Sequence, residues 1–216
     1  MENNDLSHYR KSYEKHELLL QETPDNPLEL FQKWFHEVDE FFPEDETNAM
    51  TISTMGLDGY PKNRVVLLKR FNYEGFIFFT NYLSEKGRAI AKNPNVCLSF
   101  FWAGAERQII IKGKAEKIAE NLSDGYFESR PRGSQLGAIV SQQSEVLESR
   151  EELENRLTEL EALYEGKEIE RPSYWGGFLV RPVEIEFWQG RPNRLHDRIR
   201  YQLDSEYNWV KKRLSP

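Results

Sequence analysis

From Ala49 to Ile118 the sequence is a succession of short β-type runs broken by turn signals: Ala49 to Met55, Pro61 to Lys69, Phe76 to Thr80, Val96 to Trp102 and Arg107 to Ile118. Leu57-Asp58-Gly59-Tyr60 marks a hairpin between the first two, since Asp-Gly accepts the positive φ that a tight turn demands. Connections this short close antiparallel pairs, whereas parallel neighbours need crossovers of a dozen or more residues. The spacing therefore predicts an antiparallel barrel or sandwich. After Pro172 the same pattern returns at Phe178 to Val180, Val183 to Gln189, Leu195 to Gln202 and Tyr207 to Arg213.

Helices are predicted around these strands. Asn26-Pro27-Leu28-Glu29 combines an N-cap residue, a proline at the first helical position and a capping-box glutamate, and Leu30, Phe31, Trp34, Phe35 and Val38 follow at helical spacing up to Pro43. A short helix is predicted from Ser84 to Asn93, stopped by Pro94, and a longer one after the capping box Ser149-Arg150-Glu151-Glu152, with Gly166 as its stop. The class is α+β, mainly β, with peripheral helices.

A chain of 216 residues is long enough for one substantial core, so a single domain is expected from residue 26 to 216. The first 25 residues are polar, without periodicity, and read as a flexible arm, with order beginning at Asn26. No run approaches the roughly 18 apolar residues of a membrane helix, and Met1-Glu2-Asn3-Asn4-Asp5 lacks the basic and apolar regions of a secretory signal; a soluble, cytoplasmic protein is expected. The net charge of −7 argues against nucleic acid and anionic membranes as partners, while leaving room for local basic pockets. The single cysteine, Cys97, permits no disulfide within the chain and is expected to pack in the core.

The sequence contains no G-x-G-x-x-G, Walker A, G-x-S-x-G or H-E-x-x-H run. Its four histidines stand at 8, 16, 36 and 196, too scattered for a histidine-rich metal site, and no metal is expected. What remains is a distribution of arginines. If the segment is extended, Arg194, His196, Arg198 and Arg200 share one face, as a solvated edge or around an anionic ligand. Arg130-Pro131-Arg132-Gly133-Ser134-Gln135 joins two guanidinium forks and a hydroxyl on a chain held open by Pro and Gly; it suits a phosphate, or an ordinary charged turn. Arg64-Val65-Val66-Leu67-Leu68-Lys69 is an apolar strand closed by a cation at each end, with opposite parity, so either the strand bends or the two serve different groups.

Taken in order, these segments resemble the pyridoxine/pyridoxamine 5′-phosphate oxidase family along nearly the whole chain. The resemblance rests on Arg64 to Lys69, Phe79-Thr80-Asn81, Glu106-Arg107-Gln108, Tyr126 to Gln135, Gln142-Gln143-Ser144, Ser173-Tyr174-Trp175-Gly176-Gly177, Glu186-Phe187-Trp188-Gln189-Gly190, Arg194-Leu195-His196-Asp197-Arg198 and Arg213-Leu214-Ser215-Pro216. It implies a split β-barrel that binds FMN at the interface of a homodimer. It also implies oxidation of the 4′ carbon of pyridoxine or pyridoxamine 5′-phosphate to the aldehyde, with hydride passing to the flavin and O₂ reoxidising it to give peroxide.

By motif position the implied FMN contacts are Arg64, Val65, Val66, Leu67, Leu68, Lys69, Phe79, Thr80, Lys86, Gln108, Gln143, Ser144, Trp188 and Arg198. The implied substrate contacts are Lys69, Tyr126, Arg130 and Ser134 at the phosphate, Arg194, Leu195 and His196 beside the pyridine ring, and Arg10, Lys11, Ser12 and Tyr13 from the arm that closes over it; Arg194 and His196 stand nearest the chemistry. A flavin reductase of the same fold, another oxidase, or a non-catalytic binder of FMN or pyridoxal phosphate are the alternatives, against which the Arg130 to Ser134 and Arg194 to His196 segments argue. Glu85 departs from the pattern, since many members carry an arginine before the lysine. A carboxylate about 5 Å from a phosphate costs roughly 3 kcal/mol per unit charge at an effective dielectric near 20. Glu85 is therefore expected to point away, with Arg88 supplying the cation.

Overall fold

In a computed structural model of the chain, residues 5–44 and 46–216 are described; the first four residues of the expected arm lie outside them. Five α-helices and nine strands follow in the order α1 (Pro27–Phe41), β1 (Ala49–Met55), β2 (Pro61–Leu67), β3 (Arg70–Asn72), β4 (Gly75–Asn81), α2 (Glu85–Lys92), β5 (Asn95–Trp102), β6 (Arg107–Lys117), α3 (Glu120–Glu128), α4 (Arg132–Val140), α5 (Arg150–Leu163), β7 (Trp175–Gln189), β8 (Asp197–Leu203) and β9 (Trp209–Leu214). The strands hydrogen-bond in the order β2-β1-β5-β6-β7-β4-β3, with β8 on β7 and β9 on β8. The expected class, mainly antiparallel β of split-barrel type with helices around it, is the one observed. The chain forms two compact units.

One unit comprises Asn48–Leu98 and Lys112–Pro182. Its first hairpin pairs Ala49 with Leu67 and Met55 with Pro61. The turn forms as Asp-Gly predicts: Gly59 has φ 87°, and the Asp58 carboxylate accepts the Tyr60 N–H at 3.1 Å. The strand does bend after Leu67. Leu68 N–H still bonds Asn48 O on the β1 side, but Lys69 N–H bonds Ile77 O of β4, so the backbone changes partner between the two residues. Phe127, Leu136, Ile169 and Trp175 form a core under α3, α4 and β7. Each such buried side chain contributes about 1.5–3 kcal/mol.

Three sequence expectations change in this unit. Arg132 to Ser134 is not an open turn but the first turn of α4, and Arg132 reaches back to the carbonyls of Tyr164 and Lys167. The runs split at Pro182 are one strand, β7, as a proline can be carried where the strand needs no donor. Cys97 is half-buried, on the opposite parity from the buried Val96, Leu98, Phe100 and Trp102 of β5.

The other unit comprises Met1–Thr47, Ser99–Ile111 and Val183–Pro216. Asn26 caps α1 by accepting the Leu28 N–H at 3.0 Å, and Leu30, Phe31, Trp34 and Val38 are buried on one face. Phe31 meets Phe100 edge-on at 5.3 Å, and Trp34 meets Phe187 at 5.3 Å. Burial begins before Asn26. Leu18 is 5% exposed, where Asp197 accepts its N–H at 3.0 Å and Arg213 donates to its carbonyl at 2.8 Å, and Thr23 is 6% exposed, with its carbonyl accepting from Lys211 Nζ at 2.7 Å.

Candidate functional site

A cavity of about 440 Å³ opens in the unit built on β1–β4. Its wall combines Val65, Val66, Leu67 and Lys69 after the bend, Phe79, Thr80 and Asn81 of β4, Lys86 of α2, Tyr126 and Arg130 around the end of α3, Ser134, Gly137, Ala138 and Ser141 along α4, with Gln143 and Trp175. Eleven of these are residues implied from sequence. Arg64, Leu68 and Ser144 belong to the same unit but do not line the cavity.

Phe79, Tyr126 and Trp175 form an aromatic wall. Phe79 stacks on Tyr126 at 3.9 Å and on Trp175 at 5.6 Å. Gly177 stands opposite Phe79 in the β4–β7 register, and a Cβ there would come within 3.0 Å of the Phe79 ring. Arg130 completes this wall with its guanidinium 4.6 Å from the Trp175 ring centroid. Burial lowers its pKa, and its Nη1 is buried with no hydrogen-bond partner.

Lys86 is 7% exposed and donates to Gln143 Oε1 at 3.0 Å, Thr80 Oγ1 at 3.1 Å and Ser84 Oγ at 3.4 Å. Desolvation, aided by the nearby Arg64 charge, lowers its pKa to about 8. Ser84 caps α2 by accepting the Gly87 N–H at 3.3 Å. Ser144, at φ 80°, accepts the Glu85 N–H at 3.3 Å at the same helix end. Glu85 turns its carboxylate onto Lys62 Nζ at 2.5 Å, and Arg88 turns its guanidinium onto Glu145 at 3.2 Å. Arg64 donates to Thr54 Oγ1 at 2.6 Å and to the Lys62 carbonyl at 2.8 Å.

The unit that contains α1 carries the remaining predicted residues. The shared strand face expected for Arg194, His196, Arg198 and Arg200 does not form, because Pro192–Arg194 is a 3-10 turn with Asn193 at φ 57° and Arg194 at φ 61°. Strand β8 starts at Asp197, so only Arg198 and Arg200 keep that relation. Arg194 and Leu195 are exposed on the turn. The turn folds His196 back so that its Nδ1 accepts the Arg191 N–H at 3.0 Å. Burial and the Arg194 charge lower the His196 pKa, which favours the neutral ring, and the bond accepted at Nδ1 assigns the proton of that ring to Nε2.

Trp188 lies 4.7 Å from His196, and Tyr13 of the arm lies 5.7 Å from Trp188 and 5.9 Å from His196. The arm residues Arg10, Lys11 and Ser12 before it are exposed. Arg198 bonds Glu186 at 2.7 Å, which raises its pKa, and the Ser215 carbonyl at 2.9 Å. Gln108 is half-buried on β6.

Sequence reading assigned no role to Trp175, although it stands in the Ser173-Tyr174-Trp175-Gly176-Gly177 run; paired glycines beside a tryptophan are the signal of close packing there. It also assigned no role to Glu106, whose buried carboxylate accepts the backbone N–H groups of Glu14 at 2.9 Å and Lys15 at 3.1 Å. Nothing local in sequence marks that link.

Comparison with known proteins identifies the family. The family described as pyridoxamine 5′-phosphate oxidase matches residues 35–164, and the pyridoxine 5′-phosphate oxidase C-terminal dimerisation region matches residues 175–216. A pyridoxine/pyridoxamine 5′-phosphate oxidase of Flavobacterium psychrophilum is 68% identical over 98% of this chain and 99% of that one, and one from Nostoc sp. is 50% identical over 98% of each. Among solved structures, PhzG from Burkholderia lata in complex with tetrahydrophenazine-1-carboxylic acid is similar at a TM-score of 0.85 and 29% identity, over 94% of this chain and 100% of that one. A pyridoxamine 5′-phosphate oxidase-related, FMN binding protein from Nostoc punctiforme shares the fold, with a TM-score of 0.69 at 13% identity over 90% of this chain and 100% of that one. The chain belongs to the pyridoxamine 5′-phosphate oxidase family.

Proposed function

We propose that this protein oxidises pyridoxine 5′-phosphate and pyridoxamine 5′-phosphate to pyridoxal 5′-phosphate, with FMN as cofactor and O₂ as electron acceptor reduced to peroxide, as a homodimer; with the amine, water hydrolyses the resulting imine and ammonia leaves. The observation that carries the reading is the charge of the cavity: Lys69, Lys86 and Arg130 line it and, among the described residues, no carboxylate does. Lys86 is buried, Arg130 half-buried and Lys69 exposed at the mouth; a cation removed from water without a counter-ion is costly, and an entering phosphate offsets that cost. The orphaned Nη1 of Arg130 is the atom such a ligand would satisfy. The residues present therefore fit a phosphorylated ligand.

In this reading Lys86, Thr80 and Gln143, already joined by hydrogen bonds, hold the FMN phosphate, with Arg64, Ser144 and Arg198 adding charge and hydrogen bonds and Gln108 and Trp188 meeting the flavin. Val65 to Leu67 supply an apolar edge for the ring system, with Leu68 packed in the core behind them. Arg130, Lys69, Tyr126 and Ser134 hold the substrate phosphate; the planar fork of Arg130 suits two phosphate oxygens at once. Arg194, Leu195 and His196, with Arg10 to Tyr13 of the arm, meet the pyridine ring. A neutral His196 with its proton on Nε2 is able to donate a hydrogen bond to the substrate and orient it. Bound FMN supplies the two-electron oxidation of the 4′ carbon and the transfer of those electrons to O₂. The dimerisation region carries Trp188, Arg194, His196 and Arg198, which fits an FMN site completed by a second copy of the chain.

The test is anaerobic: pyridoxine 5′-phosphate added to the flavin-loaded protein without O₂ should bleach the flavin absorbance, and unphosphorylated pyridoxine at the same concentration should not. Flavin that keeps its colour with the phosphorylated compound contradicts the reading.

A further inference from the structure

We infer that Glu106 is a positioning residue, which sets Tyr13 against the Trp188–His196 face by holding the backbone of the two residues that follow it. Glu106 Oε2 accepts the N–H of Glu14 at 2.9 Å and of Lys15 at 3.1 Å, from a point 92 and 91 residues away in sequence. Its side chain is 3% exposed, with Lys11 Nζ 3.9 Å from Oε1. The carbonyl of the same residue accepts the Gly190 N–H at 2.8 Å and Gln189 Nε2 at 3.1 Å. One residue thus ties the arm to the end of the strand that carries Trp188.

Three further observations point the same way. Glu106 has φ 58°, a conformation that glycine or asparagine adopts more readily, so a glutamate there is accounted for by what its carboxylate holds. Gly190 leaves the space that Tyr13 occupies, since a Cβ there would lie 2.7 Å from Tyr13 Cβ and Cγ. Between Tyr13 and Leu18 every arm side chain is exposed, and Glu14 to Glu17 wall an open cavity of about 1020 Å³ rather than a packed core. The strap is therefore held at this point by polar staples and not by burial. The staple works in both directions: if the arm leaves, a buried carboxylate loses two charge-assisted hydrogen bonds, which biases the arm toward the closed position.

The inference rests on the oxidase reading only for the claim that Tyr13 faces substrate; the hold of Glu106 on the arm is measured separately. Glu106→Gly removes the carboxylate and relieves the left-handed backbone, so the variant should fold, and Glu106→Gln keeps an acceptor oxygen. In the flavin-loaded dimer, amide hydrogen exchange at Glu14 and Lys15 should accelerate about tenfold or more in Glu106→Gly and much less in Glu106→Gln. The KM for pyridoxine 5′-phosphate should rise about tenfold in Glu106→Gly with flavin content unchanged, and deletion of residues 1–13 should give the same rise with no further increase when combined. Unchanged exchange at those two amides in Glu106→Gly, or KM effects that multiply in the combined variant, would overturn it. A wild-type protein that makes no pyridoxal 5′-phosphate would defeat the oxidase reading, while the exchange rates would still decide the role of Glu106.

Discussion

The Arg130 guanidinium lies 4.6 Å from the Trp175 ring centroid with its Nη1 buried and unpartnered, a charged donor at the cavity wall with no acceptor. Each charged hydrogen bond to a phosphate contributes about 1.5–3 kcal/mol, so Arg130→Ala should lower kcat/KM for pyridoxine 5′-phosphate by about 10- to 150-fold. Flavin content should stay at the wild-type level. Arg130→Lys should recover little of the loss, because an ammonium neither stacks on the Trp175 ring as a plane nor forks. Steady-state kinetics with parallel flavin absorbance check this. Equal losses of substrate and flavin binding would mean that Arg130 serves the wrong phosphate.

Lys86 makes flavin binding depend on pH. Its pKa is lowered to about 8 by burial, and an FMN phosphate beside it favours the protonated form. Binding therefore takes up a proton above pH 8, and affinity should fall as pH rises through that point, by up to about tenfold per unit. Stability of the flavin-free protein moves the other way. The folded state binds fewer protons than the unfolded chain between about 8 and the ordinary lysine pKa of 10.5, so this group's penalty is fully present below pH 8 and fades across that window. Fluorescence titration of FMN from pH 7 to 9.5 should show the fall in wild type and lose it in Lys86→Met.

Glu85 and Arg88 give a paired prediction. Glu85 already points away from the cavity, onto Lys62, as its place beside a phosphate site requires, but Arg88 is engaged by Glu145 and does not line the cavity. Arg88→Ala should therefore leave FMN affinity within about twofold, because the exposed Arg88–Glu145 pair contributes little. Glu85→Gln removes a negative charge near Arg64 and Lys86 and should tighten FMN about three- to tenfold. Isothermal titration of the flavin-free variants distinguishes the two; a large loss in Arg88→Ala would restore it as the substitute cation.

Gly190→Ala tests the placement of the arm. The added methyl would meet Tyr13 at 2.7 Å, so the ring must leave the Trp188–His196 face. The expected outcome is a KM increase of about tenfold, a flavin content like wild type, and a smaller further loss from Tyr13→Ala in the Gly190→Ala background than in wild type. Additive losses would separate Tyr13 from Gly190.

Most strands were legible because local signals set them: alternation for β1 and β5, Asp-Gly for the first hairpin, and Asn26, Ser84 and Ser149 as helix caps; β3, only three residues long, was not expected. Helix α4 was missed because Pro131 and Gly133 read as turn residues, whereas Pro131 serves as its N-cap and Gly133 is simply helical, and α3 was missed because no capping side chain marks its start at Ala119. The cavity residues were named through the family's motifs; charge alone left a charged turn open at Arg130 to Gln135 and a solvated edge open at Arg194 to Arg200. Geometry then corrected the parity argument at Arg194 and His196, since a 3-10 turn with two left-handed residues cannot be read from alternation. Glu106 stayed hidden because its partners stand 91 and 92 residues away.

The central claim is tested most directly by incubating the FMN-loaded protein with pyridoxine 5′-phosphate in air and measuring pyridoxal 5′-phosphate and hydrogen peroxide together. The two products should form in equal amounts over many turnovers, and Arg130→Ala should suppress both. A yellow protein that yields neither product would contradict the account.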